Sequence, residues 1–176
     1  MHFTTMDKHR LTSNLDFSTA QLLQWLANYS SEKFNFSPDG MRWSPAQIVE
    51  HLLMLEVIAN KALMGKTVTT NRPPDEKINI IKTVMADIDT KRIAPEIVAP
   101  SAELKDPKIL IEQIKTQREL LKKAIAELDL TEACTSFKHP GLGTLTRFEW
   151  VYFTIFHTER HLKQLQEFEN NFQQRF

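Results

Sequence analysis

Four stretches of this chain carry the chemistry of a helix start, and their spacing leaves room for a long helix after each. Ser44-Pro45-Ala46-Gln47 is the clearest. A serine hydroxyl can accept from the free N–H groups of the first turn, and proline suits the first helical position because the N–H it lacks has no partner there. Gln47 can reach back to the N–H of the cap residue, and Trp43 and Ile48 flank the box as a hydrophobic staple. Thr146-Arg147-Phe148-Glu149 repeats the pattern with Leu145 and Trp150 as the staple pair. Ser18-Thr19-Ala20-Gln21 repeats it again with Phe17 and Leu22, and Asp106-Pro107 supplies a cap and an N1 proline. Gly65 is a candidate C-cap for the helix begun at Ser44.

These signals predict helices over about 18–34, 44–64, 106–129 and 146–173, each with an apolar stripe at helical spacing. Leu22, Trp25, Leu26 and Tyr29 form the first stripe, and Leu110, Ile114, Leu121, Ile125 and Leu128 the third. The expected fold class is all-α, a four-helix bundle, in a single domain over 1–176. Few glycines, no Asn-Gly or Asp-Gly turn and little period-two alternation argue against a sheet protein. The 66–105 connection holds Pro73, Pro74, Pro95 and Pro100, with Ile78, Ile81, Val84, Met85 and Ile88 at helical spacing between them. An extra short helix over about 76–90 follows, and a connection of this length lets the second and third long helices run parallel.

Composition excludes several classes. Lys+Arg and Asp+Glu both number 22, so the chain has no excess of positive charge for a nucleic-acid partner. The single cysteine, Cys134, rules out an internal disulfide. No run approaches the ~20 apolar residues of a membrane span, so no membrane partner is expected. The first ten residues contain no apolar h-region, which makes the cytoplasm the expected compartment.

Histidines stand out on the core-facing stripes. His51 lies three residues after Ile48 and four before Leu55, on the apolar side of the second long helix, whose stripe also holds Leu52, Ile58 and Ala62. In the last helix, steps of three and four from Trp150 pass through Thr154, His157, His161, Leu165, Phe168 and Phe172. His157 and His161 are an i, i+4 pair, so their rings project from one face a turn apart. Two such rings can chelate an ion, and a third from a facing helix completes a three-nitrogen set that leaves a coordination position open. The bland alternative is three core histidines satisfied by hydrogen bonds in a non-catalytic binding or dimerisation module. Trp150, Phe153, Phe156 and Phe168 read as core rather than as a cofactor-stacking surface.

Charged neighbours of the histidines, Glu50, Glu56, Glu159 and Arg160, read as solvated helix-face residues. Cys134 reads as a packing or surface thiol rather than a nucleophile. His139, amid proline and two glycines, reads as a loop-capping residue in preference to a substrate-orienting one. His2 and His9, near the N-terminus, have no assigned role.

The stretch Trp43-Ser44-Pro45-Ala46-Gln47-Ile48-Val49-Glu50-His51-Leu52 resembles the helix-two motif of the DinB-like (DinB/YfiT-like) metalloenzymes. His139-Pro140-Gly141-Leu142-Gly143-Thr144-Leu145-Thr146, followed by His157-Thr158-Glu159-Arg160-His161-Leu162-Lys163-Gln164, resembles their final-helix signature. The resemblance follows the whole chain in helix order and is weakest over 66–105. It implies an up-down-down-up bundle with metal ligands at His51, His157 and His161. It implies a divalent transition metal, zinc or nickel, and a small-molecule substrate. The implied reaction is thiol-S-transfer, with a low-molecular-weight thiol, or hydrolysis. A homodimer is a further expectation by analogy.

Overall fold

The computed structural model describes residues 5–38, 42–90 and 93–173. Eight regular elements follow in order: α1 (Thr5–Leu26), α2 (Ser31–Asn35), α3 (Pro45–Met64), β1 (Thr67–Val68), α4 (Ile78–Ala86), α5 (Pro107–Glu127), β2 (Ala133–Cys134) and α6 (Arg147–Gln173). A 3-10 turn spans Glu96–Val98 between α4 and α5.

Three of the four helix starts form as their side-chain chemistry dictates. The Ser44 hydroxyl accepts from Gln47 N–H while Gln47 Oε1 accepts from Ser44 N–H. Thr146 and Glu149 make the same reciprocal pair. Asp106 caps α5 by accepting from Lys108 N–H at 2.8 Å. Gly65 closes α3, its N–H bonded to Ala62 O, where an added Cβ would collide with the Ser136 side chain.

The fourth start is different. Ser18 lies inside α1, buried, and donates to Leu15 O. Thr19 donates to the same carbonyl. The physical reason lies upstream: Leu11 and Leu15 extend the buried stripe of Leu22 and Leu26, so the helix gains apolar burial by starting earlier. Phe17 is exposed and staples nothing. At the other end, the chain leaves helical geometry after Leu26, and Ser30 caps the separate α2. The helix expected over 18–34 is therefore two helices with a break between them. The extra helix in the long connection is present as α4, shorter at both ends than expected.

The helix directions can be read from end-to-end bonds. Lys8, near the start of α1, donates to Ala126 O and Leu128 O at the end of α5. Arg147, at the start of α6, donates to Leu63 O and Asp129 O, which places the ends of α3 and α5 together. The segment leading into α5 meets the start of α3, where Ser101 N–H donates to Glu50. Thus α3 and α5 run parallel to each other and antiparallel to α1 and α6, giving an up-down-down-up bundle. Both α5 and α6 pack on α1 and on α3, and α4 lies against α6.

Two apolar clusters fill the bundle. One gathers Leu15, Ala59, Leu121 and Ile155 with their neighbours, and the other gathers Leu22, Leu52, Ile114 and Leu165. Between them lies a polar layer. Arg118 bonds Glu56, Ser18 and Thr158, so one guanidinium ties together all four long helices. Glu56 and Arg118 are 1% and 2% exposed, which corrects the expectation of a solvated face for Glu56. No described helix is long and apolar enough to cross a membrane.

Candidate metal centre

The capping box at Ser44 sets the phase of α3 and turns His51 inward in its second turn. The i, i+4 spacing on α6 brings His157 and His161 to the same place. All three histidines are buried, and one ring nitrogen from each lies within 4.8 Å of the other two. His157 Nε2 stands at the middle, 3.3 Å from His51 Nε2 and 3.0 Å from His161 Nε2.

Two of the three outer nitrogens, those of His51 and His161, are spoken for. His51 Nδ1 lies 2.7 Å from Val98 O, a group that can only accept, so the proton sits on Nδ1 and Nε2 presents its lone pair. His161 Nδ1 lies 2.7 Å from Gln164 Oε1, which has the same consequence. Such outer contacts orient imidazoles and fix the tautomer a metal requires. Burial lowers the pKa of all three rings, to about 3 for His161 and well below the usual value for His157, and neighbouring histidines add to the effect on those two. The rings are therefore held neutral, the form that binds metal. Nitrogen donors about 2.0–2.1 Å from a tetrahedral ion lie roughly 3.3 Å apart, close to the two spacings here. The residues fit a divalent transition metal.

Aromatic packing fixes the ring planes. Phe153 stacks on His157 with centroids 5.4 Å apart and planes at 10°, and Trp43 packs against His51 at 5.0 Å. The cluster opens on a cavity of about 1190 Å3, walled by α3, α4, α6 and the segment before α5. Most of its lining is apolar, including Leu55, Ile58, Val84, Ile97 and Phe153.

Other expected residues fall into place around this centre. Glu50 pairs with Lys105 and accepts from Ser101 N–H, and Glu159 is exposed. Arg160, expected in solvent, is buried and donates to the carbonyls of Asp87 and Thr90, holding the chain after α4 against α6. Cys134 is buried in β2, and burial pushes its thiol up to about 11, so it is a packing residue. His139 caps its loop through Nδ1, which accepts from Gly141 and Leu142 N–H. His9 is an exposed residue of α1, and His2 lies outside the described residues. Gln164 has a role that its sequence context does not announce, although its i+3 position from His161 carries a signal. The Val98 carbonyl carries none.

The fold and this cluster define a helical bundle with a three-histidine centre between its second and last long helices. The model of the DinB superfamily matches residues 14–165, and the chain belongs to that superfamily. It is similar to the uncharacterized protein YuaE of Bacillus subtilis, 29% identical over 153 residues that span 86% of this chain and 93% of the relative. Among solved structures it is similar to YfiT from Bacillus subtilis, described as a probable metal-dependent hydrolase with an unusual four-helix bundle topology. That likeness has a TM-score of 0.61 at 15% identity and covers 97% of this chain and 90% of YfiT. At that identity it speaks for the fold.

Proposed function

We propose that the chain is a metal-dependent enzyme acting on a small molecule, with His51, His157 and His161 each giving Nε2 to one zinc or nickel ion. The observation that carries the proposal is the convergence of bare lone pairs. With Nδ1 of His51 and of His161 committed to Val98 O and Gln164 Oε1, at most one proton, on His157 Nε2, can stand among three buried nitrogens. Histidines kept only for core hydrogen bonding would instead direct lone pairs at donors. A divalent ion held there supplies a positive charge that favours the deprotonated form of a water or thiol near neutral pH.

Hydrolysis is the reaction this reading assigns, in keeping with the description of YfiT. The chain's part is to hold three neutral donors, to leave the cavity side of the cluster open, and to surround it with apolar walls that limit bulk water. A second reading, transfer of an external thiol, rests on volume: about 1190 Å3 exceeds the upper range of a pocket for one drug-sized ligand and has room for a thiol beside a second substrate. Cys134 supplies no thiol of its own, being buried and protonated.

The test uses tag-free, zinc- or nickel-loaded protein with a panel of small esters, and separately with glutathione and an electrophilic aryl chloride. Turnover that needs the metal and is lost in His157→Ala supports the proposal, and the responding panel selects the reaction. A metal-loaded protein inert toward both panels contradicts the enzyme reading.

A further inference from the structure

The two ring nitrogens of His139 have different fates. Nδ1 accepts from two backbone N–H groups, Gly141 and Leu142, each at 3.2 Å. An acceptor of two donors carries no proton, so in the neutral ring the proton is on Nε2. The ring is held in that tautomer and in place. The backbone of His139 exchanges both hydrogen bonds with Gly143, and the ring meets Phe153 edge-on at a centroid distance of 4.8 Å. Burial holds the ring neutral, with its pKa lowered to about 4. Nε2 makes no hydrogen bond to any described residue.

His139 also lines the cavity that the three-histidine cluster faces. Phe153 lies between the two sites, with one contact to the His139 ring and the other to the His157 ring. Most of the remaining wall is apolar and extends to Ile80, Ile93 and Ile97, which line the same cavity and are exposed large apolar residues, while Arg160, Gln164, Glu167 and Asn171 add polar groups to it. A fixed, neutral N–H donor in an apolar wall is a specificity element. It rewards a ligand acceptor and forbids a second donor.

We propose that His139 is a substrate-binding residue of this centre: its Nε2–H holds an acceptor oxygen of a small molecule whose remaining surface is predominantly apolar. The inference rests on the metal reading above and adds a ligand class and a residue to it. Two substitutions separate the donor from the loop. In His139→Asn the amide oxygen can stand where Nδ1 stood and keep the loop contacts, while the donor is lost. In His139→Gln the amide N–H can reach the Nε2 position, while the loop acceptor is lost.

The experiment is a calorimetric titration of the zinc-loaded full chain with acetohydroxamate and octanohydroxamate, together with a chelator-competition measurement of zinc affinity. In the wild-type protein the octyl probe should bind at least ~10-fold tighter than the acetyl one, since each buried methylene favours binding. His139→Asn should weaken the octyl probe by about 3–10-fold, the effect of one hydrogen bond, at unchanged zinc affinity, with His139→Gln nearer to wild type. Equal probe affinity in His139→Asn and wild type, equal loss in both variants, or indifference to tail length would overturn the proposal while leaving the metal centre standing. Absence of zinc uptake by the wild-type chain would overturn the metal reading and this one with it.

Discussion

Arg118 Nη2 donates to Glu56 Oε1 at 2.6 Å in the middle of the bundle, at the level where the two apolar clusters part. Glu56 Oε2 is buried with no hydrogen-bond partner among the described residues, so this pair is strongly but incompletely compensated. Thr158, the residue after His157, accepts from the same guanidinium, which links the polar layer to the helix carrying two of the histidines. Replacing Arg118 with Leu strands a buried carboxylate. The expected loss is about 3–5 kcal/mol, read from urea unfolding at neutral pH. The double replacement Glu56→Met with Arg118→Leu removes both charges and should recover most of that loss. Ser18 and Thr158 keep their own helix carbonyls as acceptors in either variant.

Gln164 fixes His161 from the outer side. Gln164→Leu removes the acceptor for the Nδ1 proton and frees the tautomer, while the buried helix face of α6 is unchanged. Zinc affinity, measured by competition with a chromophoric chelator, should fall about 10–100-fold with unfolding stability near wild type. Unchanged affinity would remove Gln164 from the centre.

Stability should depend on acid through His139. Its pKa is about 4 in the fold against an ordinary 6.5, so below 6.5 the unfolded chain binds the proton more readily than the folded one. The contribution is fully present above about pH 6.5 and is lost as pH falls toward 4. The clustered rings of His51, His157 and His161 act in the same direction in metal-free protein. The stability difference between wild type and His139→Asn should therefore shift against the wild type on acidification from pH 7 to 4.5, by urea unfolding of metal-free samples. A flat difference would contradict the burial of the neutral ring.

What the sequence made legible was local. The boxes at Ser44 and Thr146 and the cap at Asp106 join residues two or three apart, so their chemistry is visible in a short string. His157 and His161 were legible for the same reason, and His51 through its neighbours on one stripe. Ser18 shows the limit: the same Ser-x-x-Gln string serves mid-helix when the apolar stripe runs on through Leu15 and Leu11. Glu56 and Arg118 are 62 residues apart, and nothing local to either marks it as buried. The partner of His51 is a backbone carbonyl in the 3-10 turn, and a main-chain group leaves no trace in residue identity.

Three imidazoles are proposed to hold one metal ion. Zinc-edge X-ray absorption of the tag-free protein, loaded and then dialysed, measures occupancy and donor set together. One zinc per chain is expected, with three imidazole nitrogens at about 2.0–2.1 Å and an oxygen donor completing the shell. Stoichiometric zinc should be lost in His157→Ala. Fewer than three imidazoles, a sulfur scatterer, or zinc retained undiminished in that variant would contradict the three-imidazole site.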